Sequence, residues 1–450
     1  MLKKIVSGVI SAGVACAIFA TDARVETMGN SDHFFRDEIS IYGNAANMGL
    51  YDKIMYGSYG SIARNNESWT NGIDWRPESP LFGGVISFGQ KEGALSKFSV
   101  GATFNRLDST LTNYLSLLNF GPSTYYYPSS GGITYGITDR NGKVLGLATD
   151  KNGNIDFKGK IDVMFAQTLD NGTTIGLGAY VAFQDRSQRD IDAIGDNTAS
   201  YAGDELKNRF VKGNIGVNTP IGDGVDLEAS VAISAITLRG ALQNPLGPDK
   251  RFSYIADNDI GVQIDVRMFA DLASINGAFV PHIQANIINY DCGKENIFDI
   301  NAGLGLNVNI DRGFFWTGFE GLYNKKSRVL LEYGPDQGVG ERKDTYGKKD
   351  VIGGKVGFGI ERNVLTDWFV IRVGGSKLLA KESKNNDNRG YRLIETEDSD
   401  HVSLGMGVNV EERLKIDFTV AQNLPYTFTG LFSSGGNPYL VSRVSAVFSF

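Results

Sequence analysis

From Ile54 to Phe450 apolar and polar positions alternate in short runs, the period of two expected of strands whose two faces meet different environments. Ile161-Asp162-Val163-Met164-Phe165 and Ile175-Gly176-Leu177-Gly178-Ala179-Tyr180-Val181-Ala182-Phe183 are typical, and Asp170-Asn171-Gly172 lies between them. Asn-Gly at such a junction is a strong hairpin signal. Further tight turns are predicted at 90–93, 220–224, 311–313, 362–367 and 411–413. Long polar connections are predicted at 65–80, 108–156, 186–207, 240–253, 331–348, 384–400 and 423–437. Tight turns and long loops alternate along the chain, so they collect at opposite rims of one antiparallel meander. The runs number about sixteen, an even count as a single-chain barrel needs, or about fourteen if the weak first pair, Ile54-Met55-Tyr56 and Val85-Ile86-Ser87-Phe88, is left out. A soluble β-sandwich has fewer strands and loops of similar length at both ends. The expected fold class is all-β, a transmembrane antiparallel β-barrel of about 14–16 strands.

The two ends of the chain place that barrel. In the last run Leu440, Val444, Ala446, Phe448 and Phe450 share one face, and Arg443, Ser445, Val447 and Ser449 the other. This ending resembles the C-terminal assembly signal of bacterial outer-membrane barrels, with Arg443, Phe448 and Phe450 in register and Ser445 where glycine is usual. The resemblance implies Phe448 and Phe450 as assembly-signal residues and the barrel-assembly machinery as a partner. Met1-Leu2-Lys3-Lys4 is a basic start, Ile5 to Phe19 carries no charge, and small residues precede cleavage sites after Ala20 or Ala23, the marks of a secretory signal peptide. Gly13 stands three positions before Cys16, so lipidation is not expected there. Beyond this leader only Cys292 remains, and one cysteine cannot form an internal disulfide. No other stretch offers the ~18 apolar residues of a membrane helix, which leaves a closed barrel as the way to satisfy backbone hydrogen bonds in lipid. The expected organisation is a signal peptide at 1–20, an N-terminal periplasmic or plug segment at 21–52 and an outer-membrane barrel at 53–450, in the cell outer membrane of a Gram-negative type of envelope.

Composition agrees with strands that hide half their side chains from lipid: 42% hydrophobic residues, 56 glycines and 11 prolines. The formal charge of −7 becomes more negative once Lys3 and Lys4 leave, which argues against nucleic acid as a partner. Aromatic residues are expected at the two membrane interfaces: Phe314-Phe315-Trp316, Trp368-Phe369, Phe448 and Phe450 near the tight turns, and Tyr180, Phe183, Tyr290 and Tyr323 near the long loops.

The face opposite the apolar one carries Lys160, Asp162, Lys212, Asp226, Glu228, Asp265, Arg267, His282, Glu320, Lys355, Arg372 and Arg443, the expected lumen wall. Both charge signs are interspersed, so strong ion selectivity is not implied. Such a wall suits either a water-filled pore or an internal plug. Glycines on that face come in pairs two apart, at Gly176 and Gly178, Gly303 and Gly305, Gly357 and Gly359, and Gly405 and Gly407. Glycine in a strand costs stability and marks either a bend or the close approach of another backbone.

The segment before the first strand favours a plug. Arg24-Val25-Glu26-Thr27-Met28-Gly29-Asn30 and Ile39-Ser40-Ile41-Tyr42-Gly43-Asn44-Ala45-Ala46-Asn47-Met48 resemble the N-terminus of the FadL-type outer-membrane transporters and their PorV-like relatives. There an early Met-Gly is followed by an acidic stretch and an Asn-Pro-Ala-Gly motif. Asn44, Ala46 and Met48 match, while Ala45 replaces the proline and Asn47 the glycine. The resemblance implies a hatch inside the barrel built on Met28, Gly29, Asn44, Ala46 and Met48. It implies passive transport of small, including hydrophobic, molecules through a gated lumen, or a non-conducting PorV-like scaffold for protein secretion or surface attachment. The apolar loop at 111–135, with Tyr114, Leu115, Leu117, Leu118, Phe120 and Tyr125-Tyr126-Tyr127, is the expected place for a constriction, ligand capture or a protein partner.

No enzymatic chemistry is expected. Asp139-Arg140-Asn141-Gly142 and Asp150-Lys151-Asn152-Gly153-Asn154 lack the terminal glutamate of a calcium loop and are expected as Asn-Gly hairpin turns. His33, His282 and His401 show no metal-ligand spacing. His282 has no Gly-x-Ser-x-Gly elbow to serve, and the Gly-x-Gly pairs sit within strands, so neither a catalytic, a metal nor a cofactor site is assigned.

Overall fold

The computed structural model describes residues 22–29, 31–65, 73–77, 80–89, 97–111, 124–126, 133–135, 137–138, 144–146, 157, 159–186, 205–243, 250–289, 297–332, 343–364, 367–386, 391–411, 413–421 and 443–450. The leader, both calcium-like loops, Cys292 and most of the 111–135 loop lie outside the described residues.

Sixteen antiparallel strands close into one barrel. In chain order the strands are β1 (Lys53–Asn65), β2 (Ile73–Pro77), β3 (Leu81–Phe88), β4 (Lys97–Phe104), β5 (Thr124–Tyr126), β6 (Ile133–Tyr135), β7 (Ile137–Thr138), β8 (Val144–Gly146), β9 (Gly159–Thr168), β10 (Thr174–Arg186) and β11 (Glu205–Gly222). They continue as β12 (Val225–Gln243), β13 (Lys250–Leu272), β14 (Gly277–Asn289), β15 (Ile297–Ile310), β16 (Gly313–Glu332), β17 (Lys343–Asn363), β18 (Phe369–Asn386), β19 (Tyr391–Val410), β20 (Leu414–Ala421) and β21 (Arg443–Ser449). The wall consists of β1, β3, β4 and β9 to β21, each paired with its neighbour in sequence. Closure comes from β1, which pairs with β3 on one side and β21 on the other, Ile54 facing both Val85 and Ser449. The short β2 extends β1 beyond the end of β3, while β5 to β8 form two small hairpins in the long connection after β4.

Side-chain parity follows the period of two. On β9 and β10, Ile161, Val163, Phe165, Ile175, Leu177, Val181 and Phe183 stand exposed on the outside, while Lys160, Asp162, Met164, Tyr180 and Ala182 are buried on the inside. An exposed apolar exterior over a polar interior is the arrangement of a barrel that spans a bilayer. Aromatic pairs mark both ends of this exterior on the short neighbouring strands β3 and β4: Phe82 faces Phe104 at the loop end, and Phe88 faces Phe98 at the turn end. Trp368 stands outside near the turns, as do Phe448 and Phe450, whose rings stack at 6.1 Å.

Three of the expected interface aromatics are inside. Trp316 and Phe314 are buried in the lumen, and Tyr180 donates its hydroxyl to the Arg106 carbonyl at 3.0 Å. Their parity explains it: Tyr180 lies in step with Gly176 and Gly178, and Phe314 and Trp316 in step with Glu320. Proximity to a rim misled, because it ignores which face a residue occupies.

Tight turns use the backbone conformations their residues allow. Gly172 and Gly224 adopt φ +84° and +72°, and Arg312, Glu411 and Asn276 take the left-handed region at 54°, 52° and 49°. The Ala273–Ile275 turn, closed by Asn276-Gly277, is absent from the predicted turns although it carries the Asn-Gly signal. Several long connections are shorter than expected. Strands reach Gln243 and resume at Lys250, reach Glu332 and resume at Lys343, and reach Asn386 and resume at Tyr391. Strands that continue past the lipid have water on both faces, so their hydropathy no longer alternates and resembles a loop.

Residues 22–29 and 31–51 lie inside this wall. They form a helix at Asp22–Thr27, a helical turn at Ser40–Gly43 and a 3-10 helix at Ala45–Leu50. The first packs on β18 to β21, the last on β4 and β9 to β11, so the segment touches well-separated parts of the wall. Two apolar clusters anchor it. One joins Ile41, Ala45, Met48 and Tyr51 to Val85, Met164 and Val447, and the other joins Val25, Met28, Phe34 and Phe35 to Val280, Phe314 and Trp316.

Candidate functional site: the lumen contact

The inner-face glycines explain how a backbone comes so close to the wall. A Cβ at Gly176 would overlap the backbone of Ala45 and Ala46, one at Gly216 the Asn44 amide, and one at Gly405 the Thr27 side chain. Gly305 and Gly318 together form a niche for the Phe34 ring, and Gly357 and Gly359 make room for Trp316. At Gly374 a Cβ would meet the backbone of Met28 and Gly29, and Gly29 itself has φ +90° with Phe358 and Gly375 carbonyls against its Cα. No larger residue fits at either Gly29 or Gly374.

The motif residues sit at these contacts. Met28 is fully buried and its carbonyl accepts a hydrogen bond from Trp316 Nε1 at 2.9 Å. Asn44 donates to the Val217 carbonyl at 3.1 Å and accepts from the Ala46 N–H at 3.0 Å, capping the 3-10 helix while tying it to β11. Ala46 is fully buried over Gly176, and Met48 over Gly101.

Charged latches then hold the segment to opposite walls. Arg24 donates Nε to Glu361 at 2.7 Å and lies over the Phe35 and Phe314 rings. The same Glu361 carboxylate accepts from Arg372, which reaches on to Asp417 at 2.7 Å. Beside it Glu26 accepts from Thr419 at 2.7 Å and lies 3.9 Å from Arg443. Across the lumen Arg36 bonds Glu228 at 2.8 Å and Asp226 at 2.9 Å. Glu228 also takes Arg267 at 2.7 Å and the Asn47 amide at 3.0 Å, and Arg267 donates to the Asp32 carbonyl at 2.8 Å. Buried charges require partners of this kind, and removing one partner strands the other.

A third cluster holds the start of the long connection after β4. Arg106 bonds Asp162 at 2.6 Å and Asp108 at 3.1 Å, and Lys212 bonds Asp108 at 3.2 Å. Burial alone would raise the Asp108 carboxyl, but Lys212 and Arg106 outweigh it and hold the group below the usual carboxylate range. Leu111, the first residue of the apolar loop, is fully buried, so the loop enters the lumen at its described start.

The segment carries two acids in the opposite condition. Burial pushes Asp37 up to about 7 despite Arg24 nearby, and burial with the Asp37 charge lifts Glu38 well above the usual range. Both favour the protonated form in the docked state.

Of the expected wall residues, Lys160, Asp162, Lys212, Glu228, Arg267, His282, Glu320 and Arg372 are buried. Lys160 donates to the Phe157 carbonyl, Asp265 accepts from Gln284 at 3.1 Å, and Lys355 lies opposite Glu320 in register. Their binding partners on the segment, Arg24, Arg36, His33, Phe34 and Phe35, are absent from the sequence-based set, as are Arg106 and Asp108. A short aperiodic segment offers no register from which to pair them.

No family model matches this chain, and no curated protein matches it. Among solved structures it is similar to CdiB from Escherichia coli, at 10% identity and a TM-score of 0.40, covering 88% of this chain and 63% of that one. It is also similar to outer-membrane expressed OmpT of Vibrio cholerae, at 9% identity and a TM-score of 0.33, covering 89% and 97%. A third is BamA from Haemophilus ducreyi lacking POTRA domains 1-3, at 6% identity and a TM-score of 0.35, covering 89% and 70%. The chain thus spans just under two thirds of the first of these. The barrel assignment stands on the strand pairing and the two faces of the wall.

Proposed function

We propose that this protein is an outer-membrane barrel that passes small molecules down their gradient when its own N-terminal segment, acting as a plug, shifts in the lumen. The supporting observation is that the segment is held to two separate parts of the wall by polar pairs, Arg24–Glu361 on β17 and Arg36–Glu228 on β12, whose charged groups water can solvate once the segment moves. Apolar clusters at Ile41 and Met48 and at Phe34 and Trp316 give a moving segment greasy surface to expose, which suits cargo that includes hydrophobic molecules. The Met28-Gly29 and Asn44 contacts favour kinship with the FadL-type transporters, although Ala45 and Asn47 depart from the motif that carries that resemblance. No catalytic role is part of this reading, and His282 faces His33 and Glu320.

The test is conductance of the refolded mature chain in planar bilayers against the same chain lacking 24–48. A silent intact protein and a conducting deletion support the plug. Equal conductance makes this an open porin, and silence in both favours a scaffold that conducts nothing.

A further inference from the structure

The chain has three histidines, and the fold stacks two of them. His33, on the segment, lies parallel to His282, on β14, with ring centroids 4.6 Å apart and planes 6° apart. Both turn Nε2 towards one oxygen of Glu320 on β16, His282 at 3.0 Å and His33 at 3.9 Å. Between β14 and β16 stands Gly303, where a Cβ would crowd both His282 Nε2 and the Glu320 side chain, so this glycine permits the contact. The His282 side chain is wholly buried; its Nε2 meets Glu320 Oε1 as a close charge contact without hydrogen-bond alignment, and its Nδ1 has no partner among the described residues.

We propose that His33 and His282, sharing the Glu320 carboxylate, form a proton-operated catch: it holds the 32–35 turn on the wall near neutral pH and releases it when both rings are charged. The proposal rests on the plug reading. One carboxylate balances one imidazolium, and a second proton on His282 would have to sit at Nδ1, where no acceptor waits. The other charges facing the pair do not absorb it. On the segment, Asp32 lies 4.0 Å from His33 and is partly exposed. On β13, Arg267 is opposite His282 and already engaged by Glu228, while Asp265 is engaged by Gln284. On β17, Lys355 adds a further positive charge beside Glu320. Histidine is the side chain that changes charge between pH 5 and 8, and two stacked imidazolium rings repel. The turn they hold also seats Phe34 in its glycine niche, edge-on to His282 and stacked on Trp316, so release at His33 unseats the middle of the segment.

The experiment records open probability of the refolded full mature chain in planar bilayers at pH 7.5, 6.0 and 5.0, for the wild type, His33→Gln, His282→Gln and Glu320→Gln. Refolding is verified by heat-modifiable migration. The wild type is expected to be silent at pH 7.5 and to open with a slope of up to about tenfold per pH unit on acidification, as one linked proton dictates. Both histidine variants should stay silent at all three values, and Glu320→Gln should open at higher pH than wild type. Should His282→Gln fail to refold, His33→Gln, whose ring is on the segment and outside the wall, decides alone. A wild type that ignores pH, or histidine variants that keep its acid response, overturns the catch. If the 24–48 deletion nonetheless conducts, the plug itself stands, whereas a deletion no more conductive than the intact chain removes both.

Discussion

Arg24 and Glu361, 337 positions apart in sequence, form a buried ion pair at 2.7 Å, and the same carboxylate is held from the other side by Arg372. The segment and the wall therefore share one acid. Losing the segment's half leaves Glu361 partly compensated, whereas losing Glu361 leaves two arginines facing each other.

Arg24→Ala should weaken docking of the segment by about 3 kcal/mol, the low end for breaking a buried pair, because Arg372 still serves the carboxylate. Glu361→Ala should cost more. Limited proteolysis at 22–51 reads the docking, and heat-modifiable migration checks that the barrel itself is unchanged.

Gly374→Ala should expel Met28 and Gly29 from the wall, since its Cβ would occupy the space of their backbone. Gly43→Ala is the control, because a Cβ there meets nothing within 4 Å. Proteolysis of the segment should accelerate in the first variant and stay at the wild-type rate in the second. Equal rates would remove the close-approach account of the wall glycines.

Docking should depend on pH through Asp37. Its docked pKa, about 7, is raised above the unfolded value, so its contribution is fully present below about 4 and is lost as pH rises through 7. By this term the segment should become more protease-sensitive mainly between about pH 4 and 7, with little further change above that, and Asp37→Asn should flatten that rise. The sign is opposite to that of the histidine catch, so the two terms oppose each other between about pH 5 and 7, and Asp37→Asn should make the acid release of the catch more pronounced.

Trp316→Phe removes the donor to the Met28 carbonyl and should cost roughly 1–2 kcal/mol of docking, with the ring still packed against Phe34 and Phe35. Trp316→Ala should cost about 3–5 kcal/mol by leaving a cavity. Equal losses in the two variants would show that the hydrogen bond, not the packing, carries the contact.

Much of the wall was legible because lipid imposes a strict period of two, as Ile161 to Phe165 show. Tyr180, Phe314 and Trp316 were assigned by nearness to a rim when their parity with Gly176, Gly178 and Glu320 pointed inward. Glycine pairs announced a close approach without naming what approaches. Arg24, Arg36 and His33 stayed hidden because their partners lie up to hundreds of residues away, and a segment without period gives no rule for matching them. Strand ends such as Lys343 and Gln243 were invisible for a simpler reason: outside the bilayer both faces of a strand meet water.

The wall also has unequal height. On β3 and β4 the aromatic pairs Phe82–Phe104 and Phe88–Phe98 stand six residues apart, about 20 Å along the strand and about 15 Å along the membrane normal at a typical tilt. On β17, well round the circumference, exposed apolar residues run from Ile352 to Ile360, eight residues. Hydrocarbon is about 30 Å thick on average and deforms to meet what it touches. A bilayer around this wall is expected to be thinner beside β3 and β4 than beside β17. The wall thus offers lipids two heights, and membrane neighbours with short apolar spans are expected to prefer the β3–β4 side.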